Sequence, residues 1–199
     1  MDLNGHSQRF GSLQTPTAGS DPSGWNGYWG HSEYSYFKSA TPATLYVYQY
    51  GRTNAVDRPW KATFRGAMSL VKEGPNTLTL AGASTMTGRL EVAEGRLDFS
   101  GSGSMTNVSA FAVSGGVLAV DTNARLPRKG ADCYLSGGKL DLAEGVVQRV
   151  RFLYVDDGEG GWTQMPLMDY TADTLPAYVS GAGVLRVHGD GRGLAVMVQ

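Results

Sequence analysis

Hydrophobic and polar residues alternate along much of this chain in short runs. In Thr77-Leu78-Thr79-Leu80 and Arg89-Leu90-Glu91-Val92 the alternation puts Leu and Val on one face and Thr, Arg and Glu on the other. A period of two belongs to an extended strand with one buried face. Several runs open on a shared pattern of Gly, any residue, Leu, any residue, apolar. It occurs as Gly95-Arg96-Leu97-Asp98-Phe99, Gly116-Val117-Leu118-Ala119-Val120, Gly138-Lys139-Leu140-Asp141-Leu142 and Gly183-Val184-Leu185-Arg186-Val187. The leucines of the first three copies stand 21 and 22 residues apart, which is the length of a solenoid rung. A leading Gly suits a corner that needs positive φ or a close approach of stacked backbones. Helical 3.6-residue periodicity is missing: Ala124 to Leu126 runs into Pro127, and Val146 to Val155 reads as strand. The pattern predicts an all-β chain, a right-handed parallel β-helix, with residues 1–199 as a single domain. The competing architecture is a β-sandwich, whose strands recur every ~8–12 residues. A spacing near 20 favours the solenoid.

Toward the C-terminus, Val150 to Val155, Met165 to Tyr170 and Leu194 to Val198 read as strands, with Asp156 to Gly161 as a loop between the first two. Leu194-Ala195-Val196-Met197-Val198 is apolar at nearly every position, so it is expected as a closing strand over the open end.

One stretch breaks the repeat. Residues 14–43 form an insertion rich in Ser, Gly and Pro that carries Trp25, Tyr28, Trp29, Tyr34, Tyr36 and Phe37. A loop this long is usually functional or disordered, and six aromatics argue against disorder. Leu45-Tyr46-Val47-Tyr48-Gln49-Tyr50 follows; on a strand, Leu45 and Val47 share one face while Tyr46, Tyr48 and Tyr50 share the other. Eleven of the 20 aromatic residues fall between Trp25 and Phe64, Trp60 among them. Two uses compete for these rings. They cover the tyrosine row or cap the solenoid's first rung, or they form an exposed binding surface. Flat rings suit the C–H faces of sugars, and Asn26, His31, Glu33, Gln49, Arg52 and Asn54 offer hydrogen bonds to hydroxyls. Tyrosines two residues apart lie about 6.5–7 Å from each other along a strand, comparable to one unit of a β-linked polymer.

Charge narrows the partners. The net charge is −1 with 18% charged residues, so no global field favours nucleic acid or an anionic membrane. No apolar run reaches the length of a membrane span. The single Cys133 excludes an internal disulfide and reads as a buried, inert thiol. Met1-Asp2-Leu3-Asn4-Gly5 has no basic or apolar leader, so a secreted parent implies that this is a piece of a longer protein.

Catalytic chemistry is sparse. Asp156-Asp157-Gly158-Glu159-Gly160-Gly161 holds the densest carboxylates, but neighbours on a Gly-rich loop are poorly fixed for glycosidase geometry, and the run lacks EF-hand spacing. A solvated hairpin loop is the simpler reading. His6, His31 and His188 come with no nucleophile signature. The chain is expected to be no enzyme and to need no cofactor or metal.

Leu70 to Gly88, with Lys72, Gly74, Leu78, Leu80, Gly82 and Gly88, resembles the autotransporter-associated β-strand repeat, departing from it around Pro75 and at Arg89. The likeness extends at motif level over residues 1–13 and 43–142. It implies a β-helix within a large bacterial surface or secreted protein, without catalytic activity. By fold type and aromatic placement the chain also resembles β-helical carbohydrate-binding modules, notably carbohydrate-binding module family 89, which implies xylan.

The expectation drawn from both is a non-catalytic module that binds a plant cell-wall polysaccharide, a xylan-like β-linked glycan, in an extracellular setting. It would be covalently linked to a catalytic or surface domain, with Trp25, Tyr28, Trp29, Tyr34, Tyr36, Tyr46, Tyr48, Tyr50 and Trp60 as contacts. Two readings stand against it. One is a structural or adhesive segment of a surface protein, with the aromatics used for packing. The other is a small glycan-active enzyme using Asp156, Asp157 or Glu159.

Overall fold

A computed structural model describes residues 1–11, 13, 36–49, 59–128 and 130–190, and every regular element within them is a strand. The first are β1 (Gln8–Phe10), β2 (Tyr36–Tyr48), β3 (Thr63–Glu73), β4 (Thr77–Leu80), β5 (Thr85–Met86) and β6 (Arg89–Val92). Next come β7 (Arg96–Phe99), β8 (Ala110–Val113), β9 (Val117–Val120), β10 (Asp132–Leu135), β11 (Lys139–Leu142) and β12 (Val147–Val150). The last are β13 (Leu153–Asp156), β14 (Trp162–Gln164), β15 (Asp169–Tyr170), β16 (Val179–Ser180) and β17 (Val184–Val187).

Three sheets result. The largest runs β1-β2-β3-β6-β8-β10-β13-β14, with β5 also on β3; the second runs β16-β11-β9-β7-β4; the third runs β12-β17-β15. The chain returns to a given sheet after visiting the others, so its neighbours are parallel and come from successive rungs. This is a β-solenoid of about five turns. Among the described residues, antiparallel pairing is confined to β13 with β14 and β15 with β17, toward the C-terminal side.

Register explains why this sequence coils. Parallel pairing brings Leu45, Leu70, Leu90, Phe111, Cys133 and Leu153 into one file across the large sheet, and all six are fully buried. Leu78, Leu97, Leu118, Leu140 and Val179 make the matching file across the second sheet. Each fully buried side chain of this size contributes about 2 kcal/mol, and in-register stacking lets every rung fill the hollow left by the last. Outward positions alternate with these and are partly exposed, as in β4, β6 and β7.

The interior also holds long polar side chains. Lys72 occupies the inward file between Val47 and Val92 and has no solvent exposure. Its ammonium donates to the carbonyls of Glu73, Gly74 and Glu94 at 3.1, 2.6 and 2.8 Å. Arg125 donates to the carbonyls of Gly101 and Gly103, both at 2.8 Å, and Gln148 donates to that of Pro127 at 2.8 Å. Corners between strands leave carbonyls outside the ladders, and a buried carbonyl without a donor is costly. These side chains reach across to them.

The repeated Gly serves both expected purposes. Gly95 combines φ +67° with a close approach to the Gly74 carbonyl oxygen, and Gly116 is needed for approach alone: a Cβ there would lie 2.5 Å from the Gly95 carbonyl oxygen of the rung beneath.

Several expectations need correction. The insertion ends as strand, because β2 begins at Tyr36 and buries Phe37. Met165 to Tyr170 is not one strand: β14 stops at Gln164 and only Asp169–Tyr170 pairs again. The Gly183 copy of the motif forms β17, which joins the third sheet, while β16 takes the next place beside β11. Leu194 to Val198, and the insertion up to residue 35, lie outside the described residues.

Two stability tests follow from this packing. Gly116→Ala is expected to cost about 1–3 kcal/mol, because backbone on the adjacent rung must move; urea unfolding should show a lower midpoint at unchanged slope. Burial pushes the Lys72 ammonium down to about 8 from 10.5, with the Glu94 carboxylate pulling the other way. Between these values the unfolded chain holds a proton that the folded chain has released, so stability rises with pH through that window and is flat below it. Wild type should therefore gain up to about 3 kcal/mol on Lys72→Met between pH 8 and 10.5, read by urea midpoints across that range.

Candidate functional site

The outward face of the large sheet carries the chemistry. One file of side chains runs its whole length in register: Arg9, Tyr46, Val71, Glu91, Ala112, Tyr134, Tyr154 and Gln164. Tyrosine occupies it near both ends, and the small or charged residues between leave the middle without rings.

At the N-terminal end, β2 aims Leu45 and Val47 inward and Tyr46 and Tyr48 outward, as alternation predicts. Tyr48 is 40% exposed, and Tyr46 is half-buried beneath the Arg9 guanidinium, 4.9 Å from the ring centroid. Arg9 is held there by an ion pair with Glu73. Tyr36 lies farther back on the same strand, beyond an irregularity between Ser39 and Ala43, with Arg65 4.4 Å from its centroid. Trp25, Tyr28, Trp29, Tyr34 and Tyr50, with Asn26, His31, Glu33, Arg52 and Asn54, lie outside the described residues.

Two of the expected contacts are interior groups. Trp60 is 4% exposed and packs on Phe37, whose ring stacks on Phe64 at 5.9 Å. Its backbone bridges Leu80 at the start of the second sheet, which turns the indole into the core. Gln49 is also buried, and its side-chain oxygen accepts the Leu13 N–H at 3.1 Å, so it is not available to a ligand.

The C-terminal end of the file is an aromatic surface that the sequence reading passed over. Tyr134 and Tyr154 are paired in register and stack with centroids 4.9 Å apart. Trp162, 45% exposed on β14, meets Tyr134 edge-on at 5.2 Å, and Arg89 lies 5.1 Å from the Tyr134 centroid. Burial raises the Tyr134 hydroxyl above its ordinary pKa, with Asp132 adding to the effect. The signal was present: Tyr134 and Tyr154 stand 20 residues apart, one rung.

The carboxylate-rich loop behaves as a turn. Asp157 accepts the backbone N–H groups of Glu159 and Gly161, both at 2.8 Å, and Asp156 accepts that of Gly158 at 2.8 Å. These bonds lower the Asp157 pKa and close the hairpin between β13 and β14. Among the described residues no cluster of three or more His, Cys, Asp or Glu is placed to hold a metal ion, and no helix is long and apolar enough to cross a membrane.

Cys133 sits in the inward file with no exposure, and burial pushes its thiol far up. A thiol reagent should leave native protein unmodified over hours and react at once in denaturant; ready reaction of the native chain would contradict the packing of β10.

The passenger-associated-transport-repeat family model matches residues 70–120, from the second half of β3 to the end of β9. No curated protein and no solved structure matches the chain, and the likeness to β-helical carbohydrate-binding modules gains no support. The match falls on rungs of the parallel coil, so residues 70–120 are similar to an autotransporter-type β-helix repeat.

Proposed function

We propose that the chain is a structural segment of a secreted or surface-displayed passenger, a stiff coil that spaces other parts of its parent, and that it catalyses no reaction. The observation that carries this reading is the repeat match at 70–120 on rungs whose inward files are buried. A coil of this kind transmits length: each rung adds about 4.8 Å along the axis. Its outward positions tolerate change, since they take no part in the ladder that holds the rungs together. In the parent protein, an antibody against this chain should label intact, unpermeabilised cells or the medium, and external protease should remove the cell-bound signal. Labelling seen only after permeabilisation would overturn the reading.

A second reading is favoured by one feature, the outward Tyr46 and Tyr48 with Tyr36 behind them. In it, these rings dock a xylan-like β-linked glycan. Affinity gels containing soluble xylan or β-glucan should then retard the wild type, and Tyr48→Ala should weaken binding about tenfold, the worth of one lost stacking contact of 1–1.5 kcal/mol. Equal migration with and without each polymer would remove this reading and leave the structural one standing.

A further inference from the structure

The third sheet has an unusual edge. Its strand β12 has β17 on one side and, on the other, the irregular segment 123–128 among the described residues. Side chains replace a strand ladder there. The Val147 N–H donates to the Asn123 side-chain oxygen at 2.7 Å, and the Gln148 amide donates to the Pro127 carbonyl at 2.8 Å. Between strand and segment lies a groove of about 470 Å³ lined by Asn123, Arg128, Val147, Gln148 and Arg149.

Both arginines are exposed, and neither forms an ion pair among the described residues. Arg65 shares this, but its guanidinium lies over the Tyr36 ring and donates to Thr63. Arg9, Arg89, Arg96, Arg125, Arg151 and Arg186 each have a carboxylate partner. Arg149 also stands in register beside Arg186, whose charge is taken up by Asp169 at 2.6 and 2.7 Å. Like charges in adjacent cross-strand positions repel, and Asp169 offsets only one of them. Two uncompensated guanidinium groups therefore converge on one concave site in a chain whose net charge is −1.

We propose that this groove binds an acidic sugar, through the carboxylate or sulfate ester that the sugar carries. A guanidinium presents a planar fork of N–H donors that matches the paired oxygens of such groups. The volume argues for a body behind the anion, because about 470 Å³ falls in the usual range for small-molecule pockets of ~300–1,000 Å³ and a bare oxyanion would leave most of it empty. Asn123, whose oxygen is taken by the Val147 N–H, offers its amide N–H groups to a hydroxyl, and Val147 adds a small apolar contact, whereas Gln148 is buried and committed to the Pro127 and Arg149 carbonyls. Nucleic acid fits less well, since two guanidinium groups neutralise too few phosphates to hold a duplex at physiological salt.

The test uses the whole chain and calorimetric titration at low salt with trigalacturonate, a sulfated disaccharide, neutral maltotriose and inorganic sulfate. Trigalacturonate or the sulfated sugar should bind, maltotriose should not, and inorganic sulfate should bind at least tenfold more weakly. Arg128→Gln and Arg149→Gln should each weaken the acidic sugar at least tenfold, with Arg149→Lys intermediate. Lys61→Gln, which removes an exposed charge away from the groove, should leave binding unchanged. Both arginine side chains are exposed, so melting temperatures should match the wild type. Three results would overturn the proposal: neither acidic sugar binds the wild type, inorganic sulfate binds as tightly as the sugars, or Lys61→Gln loses as much affinity as the arginine variants.

Discussion

A parallel coil places every residue directly above the one that occupied the same register a rung earlier, and that stacking governs the rest of the molecule. A side chain that suits one level must suit the surface offered by the level below it. The inward file Leu45, Leu70, Leu90, Phe111, Cys133, Leu153 obeys this, with aliphatic groups above and below a single ring and a single thiol. Where backbones meet at corners the same condition selects glycine: at Gly116 the rung beneath is too close for any side chain. Cooperativity then arises from contact between neighbours rather than from one central core, as expected for a quasi-one-dimensional stack.

Corners are where this arrangement is weakest, and polar residues are spent on them. Lys72 in an apolar file would be a grave fault if its ammonium were unpaired. It instead meets three carbonyls from two consecutive rungs, which fixes the turn after β3 to the one after β6. Arg125 does the same work for Gly101 and Gly103, and its second face is neutralised by Asp121. Buried charge here specifies how one rung sits on the next. At the C-terminal side the parallel scheme stops with two antiparallel pairs, β13 with β14 and β15 with β17, which cover edges that would otherwise accept another strand.

Because the inside is committed to stacking, any recognition falls to the outward files and to places where a strand is missing. The outward file of the large sheet shows how independent those positions are: tyrosines near both ends, a valine, a glutamate and an alanine between them. The groove beside β12 exists for a complementary reason, since segment 123–128 fails to form a strand and side chains hold it at a distance.

Period-two alternation and a repeat near 21 residues determined strand, rung length and the inward identity of Leu78, Leu90, Leu97, Leu118 and Leu140, because each is a local property of spacing. The outward direction of Tyr46 and Tyr48 came from the same rule. Trp60 did not follow from it, since its burial depends on Phe37 arriving from the neighbouring rung. Nor did the third sheet: the Gly183 motif matches its three predecessors in sequence yet pairs with β12 on a different face, because the chain between β13 and β16 leaves the parallel coil and returns. Tyr134 over Tyr154, and Arg128 beside Arg149, were brought together by how many residues each turn happens to use. Periodicity fixes which way a side chain points; only the stacked coil decides what it points at.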